Sequence, residues 1–143
     1  KGFGLAGLRA GYVVMSLNLL KYYSLVAHPF PVNALGQYYA KIALQDENFL
    51  AECRARIRNN KEQIRKACSK FRILATDPAT PICTLVHPRA EVDLQALFLN
   101  NHILTTSGRH FVGLGQSAVR IRIPGDGIDH LITTIQTIEE QTT

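Results

Sequence analysis

Apolar residues recur along this chain with two periods, and the switch between them divides it. Residues 1–10 read as a loop. Gly11 to Ser16 (GYVVMS) is short, apolar and β-branched, which predicts a buried strand. Asn18 to Val26 predicts a short helix, stopped by His28-Pro29-Phe30-Pro31, where the prolines force an extended path. Asn33 is a helix N-cap candidate ahead of ALGQYYAKIAL. From Asp46 apolar positions recur every three or four residues (Phe49, Leu50, Cys53, Ile57, Ile64, Ala67, Cys68, Phe71), predicting one long helix to about Phe71. A helix of that length commonly bridges two lobes.

Beyond it the period shortens. Arg72 to Ala75 and Ile82 to His87 read as strands around a turn at Thr76–Pro81. Val92 to Asn100 is a short amphipathic helix, Ile103 to Thr105 a third strand, and Ser107 to Ser117 a glycine-containing loop. Ala118 to Ile123 (AVRIRI) alternates cleanly as a strand. After Pro124-Gly125-Asp126-Gly127, with Asp126 a possible N-cap, Ile128 to about Glu140 forms the closing helix. Residues from about 46 onward therefore predict a compact α+β lobe. Residues 1–32 supply a strand and a helix that need a sheet to join. The start at Lys1, without a Met, reads as a cut from a longer chain.

Composition narrows the class. With 143 residues, 46 % hydrophobic and 19 % charged, the chain is one ordinary domain in length and can bury a core. No apolar run is long enough to span a bilayer, so no membrane role is expected. The net charge of +5 is concentrated in the eight basic residues between Arg54 and Arg72. Phe71 is the one aromatic residue among them, and no nucleic-acid motif accompanies them. They read as the solvated face of the long helix, and no nucleic-acid partner is expected. Cys53, Cys68 and Cys83 are odd in number and fit no metal spacing, and they read as small buried apolar residues in a reducing, cytoplasmic setting. The five histidines lack ligand spacing as well, and loop or surface roles are expected for them.

The chemistry gathers at the start. Lys1-Gly2-Phe3-Gly4-Leu5-Ala6-Gly7-Leu8-Arg9 puts an amine, closely spaced glycines and a guanidinium into nine residues. A lysine amine can condense with an aldehyde, and a guanidinium can pair with a phosphate. The glycines also satisfy G-x-G-x-x-G, but no strand precedes them. The first acidic residue is Asp46, too far along for a dinucleotide fingerprint. A second candidate is Arg120, which shares a strand face with Arg122.

The full pattern, from Lys1 through Gly4-Leu5, Gly7 and Arg9 to Ala10-Gly11, resembles the cofactor-attachment segment of class I and II aminotransferases. The resemblance implies a fold-type I α/β enzyme using pyridoxal 5'-phosphate. Residues 1–32 would end its large domain, 33–71 carry the interdomain and small-domain long helices, and 72–143 form the small α+β C-terminal domain. It also implies that Lys1 forms the Schiff base and carries a proton, that Arg9 binds the cofactor phosphate, and that Arg120 pairs with the substrate carboxylate.

Pro29-Phe30-Pro31-Val32-Asn33 and Phe111-x-Gly113-Leu114-Gly115 resemble segments of the histidinol-phosphate aminotransferase and threonine-phosphate decarboxylase type. Such enzymes are homodimers. The implied reaction moves an amino group from an amino acid or similar amine to a 2-oxo acid. Decarboxylation or side-chain replacement on the same scaffold, and a non-catalytic regulator with an aminotransferase-like domain, are the alternatives. The chain departs from the type in three places, one being the absence of the asparagine usual at the turn near Thr80. Thr106 stands where an arginine usually meets a substrate phosphate, with Arg109 as a substitute nearby, and Arg122 replaces a small polar residue.

Overall fold

The computed structural model describes residues 2–142, and Lys1 falls outside them. The chain divides into two units, Lys1–Ala51 and Glu52–Thr143.

In the first unit a single 3₁₀ turn, Ala6–Leu8, leads through an irregular stretch to α1 (Leu17–Val26) and α2 (Ala34–Gln45). Both helices begin on side-chain caps. Ser16 Oγ accepts the Leu19 amide at 3.4 Å, and Asn33 Oδ1 accepts the Gly36 amide at 2.7 Å. Asp46 then caps α3 (Glu47–Ala67) by accepting the Phe49 amide at 3.0 Å. The strand expected over Gly11–Ser16 does not form. Strands are completed by a neighbour's hydrogen bonds, and among the described residues none lies beside this segment in a sheet. Tyr12 and Val14 stay 83 % and 88 % exposed.

The second unit holds an antiparallel sheet in the order β1-β2-β4-β3. Its strands are β1 (Arg72–Ile73), β2 (Ile82–Val86), β3 (Thr106–Ser107) and β4 (Ala118–Arg122). α4 (Leu94–Asn100) and α5 (Ile128–Gln141) complete it. Cys83 and Leu85 of β2 and Val119 and Ile121 of β4 form the buried face of the central pair. They pack with Ile64 of α3, Phe98 of α4 and Ile135 of α5, which are fully enclosed. The alternate positions Thr84, Arg120 and Thr106 lie in register across three strands on the other face.

Several boundaries differ from the sequence expectation for identifiable reasons. The long helix stops at Ala67, four residues short of Phe71. The backbone amides of Ser69, Lys70 and Phe71 turn instead onto the carboxylate of Glu139 on α5, at 2.8–3.1 Å. The third strand is Thr106–Ser107, one step beyond the expected Ile103–Thr105. Its ladder is set by pairing of Thr106 and Ser107 with Arg120 and Val119. The N-cap of α5 is Gly127 in the left-handed region (φ 75°), and Asp126 makes no capping bond. His87, expected in a loop or at the surface, lies in the loop after β2 and is buried. Its ring packs edge-on to Phe71, and Nδ1 accepts the Arg89 amide at 3.0 Å.

Candidate active site

The glycine-rich segment of the first unit is held at both ends. Phe3 stacks on Phe49 with ring centroids 5.7 Å apart. At the other end, the amide of Arg9 donates to Ala6 O at 3.3 Å, and Asn33 Nδ2 donates to Leu8 O at 3.3 Å. Arg9 is left-handed (φ 53°, ψ 27°), uncommon for a residue with a Cβ. Its guanidinium is exposed and donates through Nη1 only a long bond to Ala6 O, at 3.5 Å. Gly4 (φ 69°) also takes the left-handed region, and side chains at Gly4, Gly7 and Gly11 would meet nothing within 4 Å. The turn is thus an open cradle of backbone beside a guanidinium with donors to spare, which suits an anionic ligand.

In the second unit Arg120 lies opposite Thr84 on one neighbour strand and Thr106 on the other. Its guanidinium carbon sits 4.9 Å from the centroid of Phe111, a cation–π contact that restricts the side chain. Arg120 and Arg122 line one pocket of about 390 Å³, together with Leu104, Thr105 and Thr106. The expected common face of the two arginines is therefore present. The hydroxyl of Thr105 in that wall is buried with no hydrogen-bond partner among the described residues.

Arg109 takes a different path. It bonds Gln116 Oε1 and pairs with Asp93 Oδ2 at 3.6 Å, so it braces the start of α4 and does not line the pocket of Arg120. His110 is exposed in the adjacent 3₁₀ turn, Gly108–His110.

Two residues here have parts that sequence reasoning did not assign. Gly108 is buried, and a Cβ on it would come within 2.4 Å of Gly115 O and 2.7 Å of Ala118 Cβ. Only glycine lets the loop before β4 fold back against that strand. Phe111 was noticed as part of a motif, but its part as the platform for Arg120 needed the structure. The serine before Gly108, bonding the Arg109 amide through Oγ at 3.4 Å, was a readable turn signal.

A second cavity, of about 450 Å³, lies between α3 and the Ile73–Pro78 segment, with Arg58, Lys61, Arg65 and Cys83 in its wall. Lys61 Nζ donates to Thr76 Oγ1 at 2.7 Å and Asp77 O at 2.8 Å, tying down the turn between β1 and β2. Burial lowers its ammonium from the ordinary value, against the opposing effects of Cys83 and Asp77. Burial likewise raises the Cys83 thiol, and it pushes the Cys68 thiol up to about 12 with help from Glu139. The expectation of buried cysteines holds fully for Cys83, while Cys53 and Cys68 are half-buried. No group of three or more His, Cys, Asp or Glu suited to a metal occurs among the described residues.

The profile of aminotransferase classes I and II matches residues 1–135, spanning both the glycine cradle and the Arg120 strand. The chain belongs to this family. It is 38 % identical over 63 residues to the histidinol-phosphate aminotransferase of Staphylococcus saprophyticus, a stretch covering 44 % of this chain and 18 % of that protein. The fold matches the crystal structure of the histidinol-phosphate aminotransferase of Clostridium acetobutylicum, with a TM-score of 0.82 and 19 % identity over 99 % of this chain.

A third similarity is to the Sinorhizobium meliloti histidinol-phosphate aminotransferase solved in complex with pyridoxal-5'-phosphate (TM-score 0.77, 21 % identity, all of this chain). The chain spans 44 % and 40 % of those two structures, which establishes a fold-type I scaffold seen in part.

Proposed function

We propose that the protein to which this chain belongs is a pyridoxal-phosphate-dependent aminotransferase of the histidinol-phosphate aminotransferase type. It would pass an amino group from an amino acid or amino-acid-like amine to a 2-oxo acid. The carrying observation is the Gly2-to-Arg9 segment, folded as an open glycine cradle ending in an exposed guanidinium, inside a family match that begins at residue 1. The donor set fits the cofactor: Arg9 would hold the phosphate, and the glycines would let the backbone approach it. When bound, the cofactor supplies an electron sink for the substrate α-carbon.

The remaining roles belong to the chain's own side chains. Lys1 would hold the cofactor through its amine and afterwards accept and return a proton at the substrate α-carbon. Arg120, steadied by Phe111, would fork onto the substrate carboxylate. The bonds of Arg109 to Asp93 and Gln116 support a bracing role for it in place of a phosphate contact. Residues 1–32 are assigned to the end of the large domain, 33–71 to the interdomain and small-domain helices, and 72–143 to the small domain. The protein would act as a cytoplasmic homodimer. The exposed apolar residues of the first unit, among them Tyr12, Val14 and Phe30, support its being covered by further protein.

The deciding experiment uses the full-length protein and Lys1→Ala. Borohydride reduction should leave pyridoxal phosphate attached to the parent and absent from the variant. Retention on the variant overturns the assignment of Lys1. Incubation with a panel of amino acids should yield 2-oxo acid, and release of carbon dioxide would move the reading to a decarboxylase.

A further inference from the structure

The peptide between Leu8 and Arg9 is gripped from three sides, all within the first unit. Its N–H donates to Ala6 O at 3.3 Å, and its carbonyl accepts from Asn33 Nδ2 at 3.3 Å. The first turn of α2 presses on the same carbonyl. Gly36 is buried, and a Cβ there would stand 2.9 Å from Leu8 O. Asn33 also caps α2, its Oδ1 accepting the Gly36 amide at 2.7 Å. One side chain therefore fastens the start of a helix and the peptide that precedes the left-handed Arg9. A left-handed non-glycine residue persists where its surroundings over-determine it, and here both atoms of the preceding peptide's hydrogen-bonding pair are committed.

We infer that Asn33 and Gly36 are positioning residues that hold the Leu8–Arg9 peptide in place and so aim the Arg9 guanidinium at the cofactor phosphate. This rests on the reading of Arg9 as the phosphate ligand. Asn33 is suited to the task because its amide is both donor and acceptor. Serine and aspartate replace the acceptor of the cap equally well, and neither supplies the amide donor to Leu8 O. Gly36 is suited because a helix N-terminus with a Cβ at that place could not approach the carbonyl so closely.

The test separates capping from aiming in the full-length protein. Asn33→Ser and Asn33→Asp should both keep the parent's melting temperature within a few degrees, because the cap survives in each. Both should bind pyridoxal phosphate about tenfold more weakly, a loss of about 1.4 kcal/mol. Agreement between the neutral and the charged variant removes charge as the cause. Gly36→Ala adds the better helix former, yet should weaken cofactor binding by a similar factor, because the methyl displaces Leu8 O. In an Arg9→Ala background Asn33→Ser should change cofactor affinity less than twofold.

Parent-like affinity in Asn33→Ser overturns the inference, as does weakening confined to Asn33→Asp. Parent-like affinity in Arg9→Ala instead overturns the role of Arg9 itself, so the two failures are distinguishable.

Discussion

The two units of this chain are built on different terms. The second encloses Ile64, Leu85, Phe98 and Ile135 completely. The first has only Gly36 buried among its described residues, and it leaves Tyr12, Leu17, Tyr22 and Phe30 largely open. Its helices nevertheless form where local signals start them, at Ser16, Asn33 and Asp46. Its one strand-like segment does not pair. A helix closes its hydrogen bonds within itself, whereas a strand borrows them. The contrast shows which parts of a fold a sequence segment carries alone and which it holds in common with other segments.

The contrast can be broken most forcefully at the cores. Phe98→Ala should cost about 3–5 kcal/mol, the range for emptying a large buried site. Leu20→Ala on α1 should stay within about 0.5 kcal/mol in the same 143-residue chain, as expected of a surface change. Chemical denaturation reads both, and equal losses would show that the first unit has a core of its own.

The glycines give a second, smaller contrast. Gly108→Ala forces a methyl against Gly115 O and should destabilise by about 1–3 kcal/mol. Gly7→Ala meets nothing within 4 Å and should leave the melting temperature unchanged to within about 1–2 °C. A Gly108→Ala protein as stable as its parent would mean the loop can lift off β4.

Glu139 supplies a pH-dependent prediction. The residue is 3 % exposed. Burial alone would raise its carboxyl, but hydrogen bonds from Ser69, Lys70 and Phe71 outweigh that and hold it below its ordinary value of 4.5. A carboxyl lowered on folding contributes stability that is fully present above the unfolded-state value. That stability drains away as pH falls through the folded one. The parent should therefore lose stability below about pH 4.5, and Glu139→Gln should flatten that slope while costing about 2 kcal/mol at pH 7. Melting curves between pH 7 and pH 3 check both. An unchanged slope would assign the acid sensitivity to other carboxylates.

Arg109→Ala is the smallest effect, about 0.5 kcal/mol for an exposed ion pair with Asp93. A change in substrate KM without a change in stability would return Arg109 to the phosphate-contact role.

Most elements of the second unit were legible because their patterns are local. AVRIRI alternates, and VDLQALFLN carries its own cap in Asp93, which accepts the Ala96 amide at 3.1 Å. The early end of α3 was not legible. It depends on Glu139, about seventy residues away, and to a periodicity argument Glu139 is one more polar position on α5. The left-handed cap at Gly127 was hidden by Asp126, the better capper by type but not the one used. At the candidate site, Lys1, Arg9 and Arg120 were suggested by the resemblance of their segments to the family. Their supports, Asn33 beneath the Leu8 carbonyl and Phe111 beneath Arg120, are non-local contacts that a linear pattern cannot rank.

The cysteines have a chemical consequence. A thiol with its pKa pushed up to about 12, as at Cys68, exists as thiolate in only about one molecule in 10⁵ at neutral pH. Alkylating reagents, peroxide and disulfide exchange all act on that anion. Cys68 should remain a reduced, unlabelled thiol through handling that modifies ordinary cysteines, and its appearance in a labelling experiment would report that α5 has lifted from the end of α3.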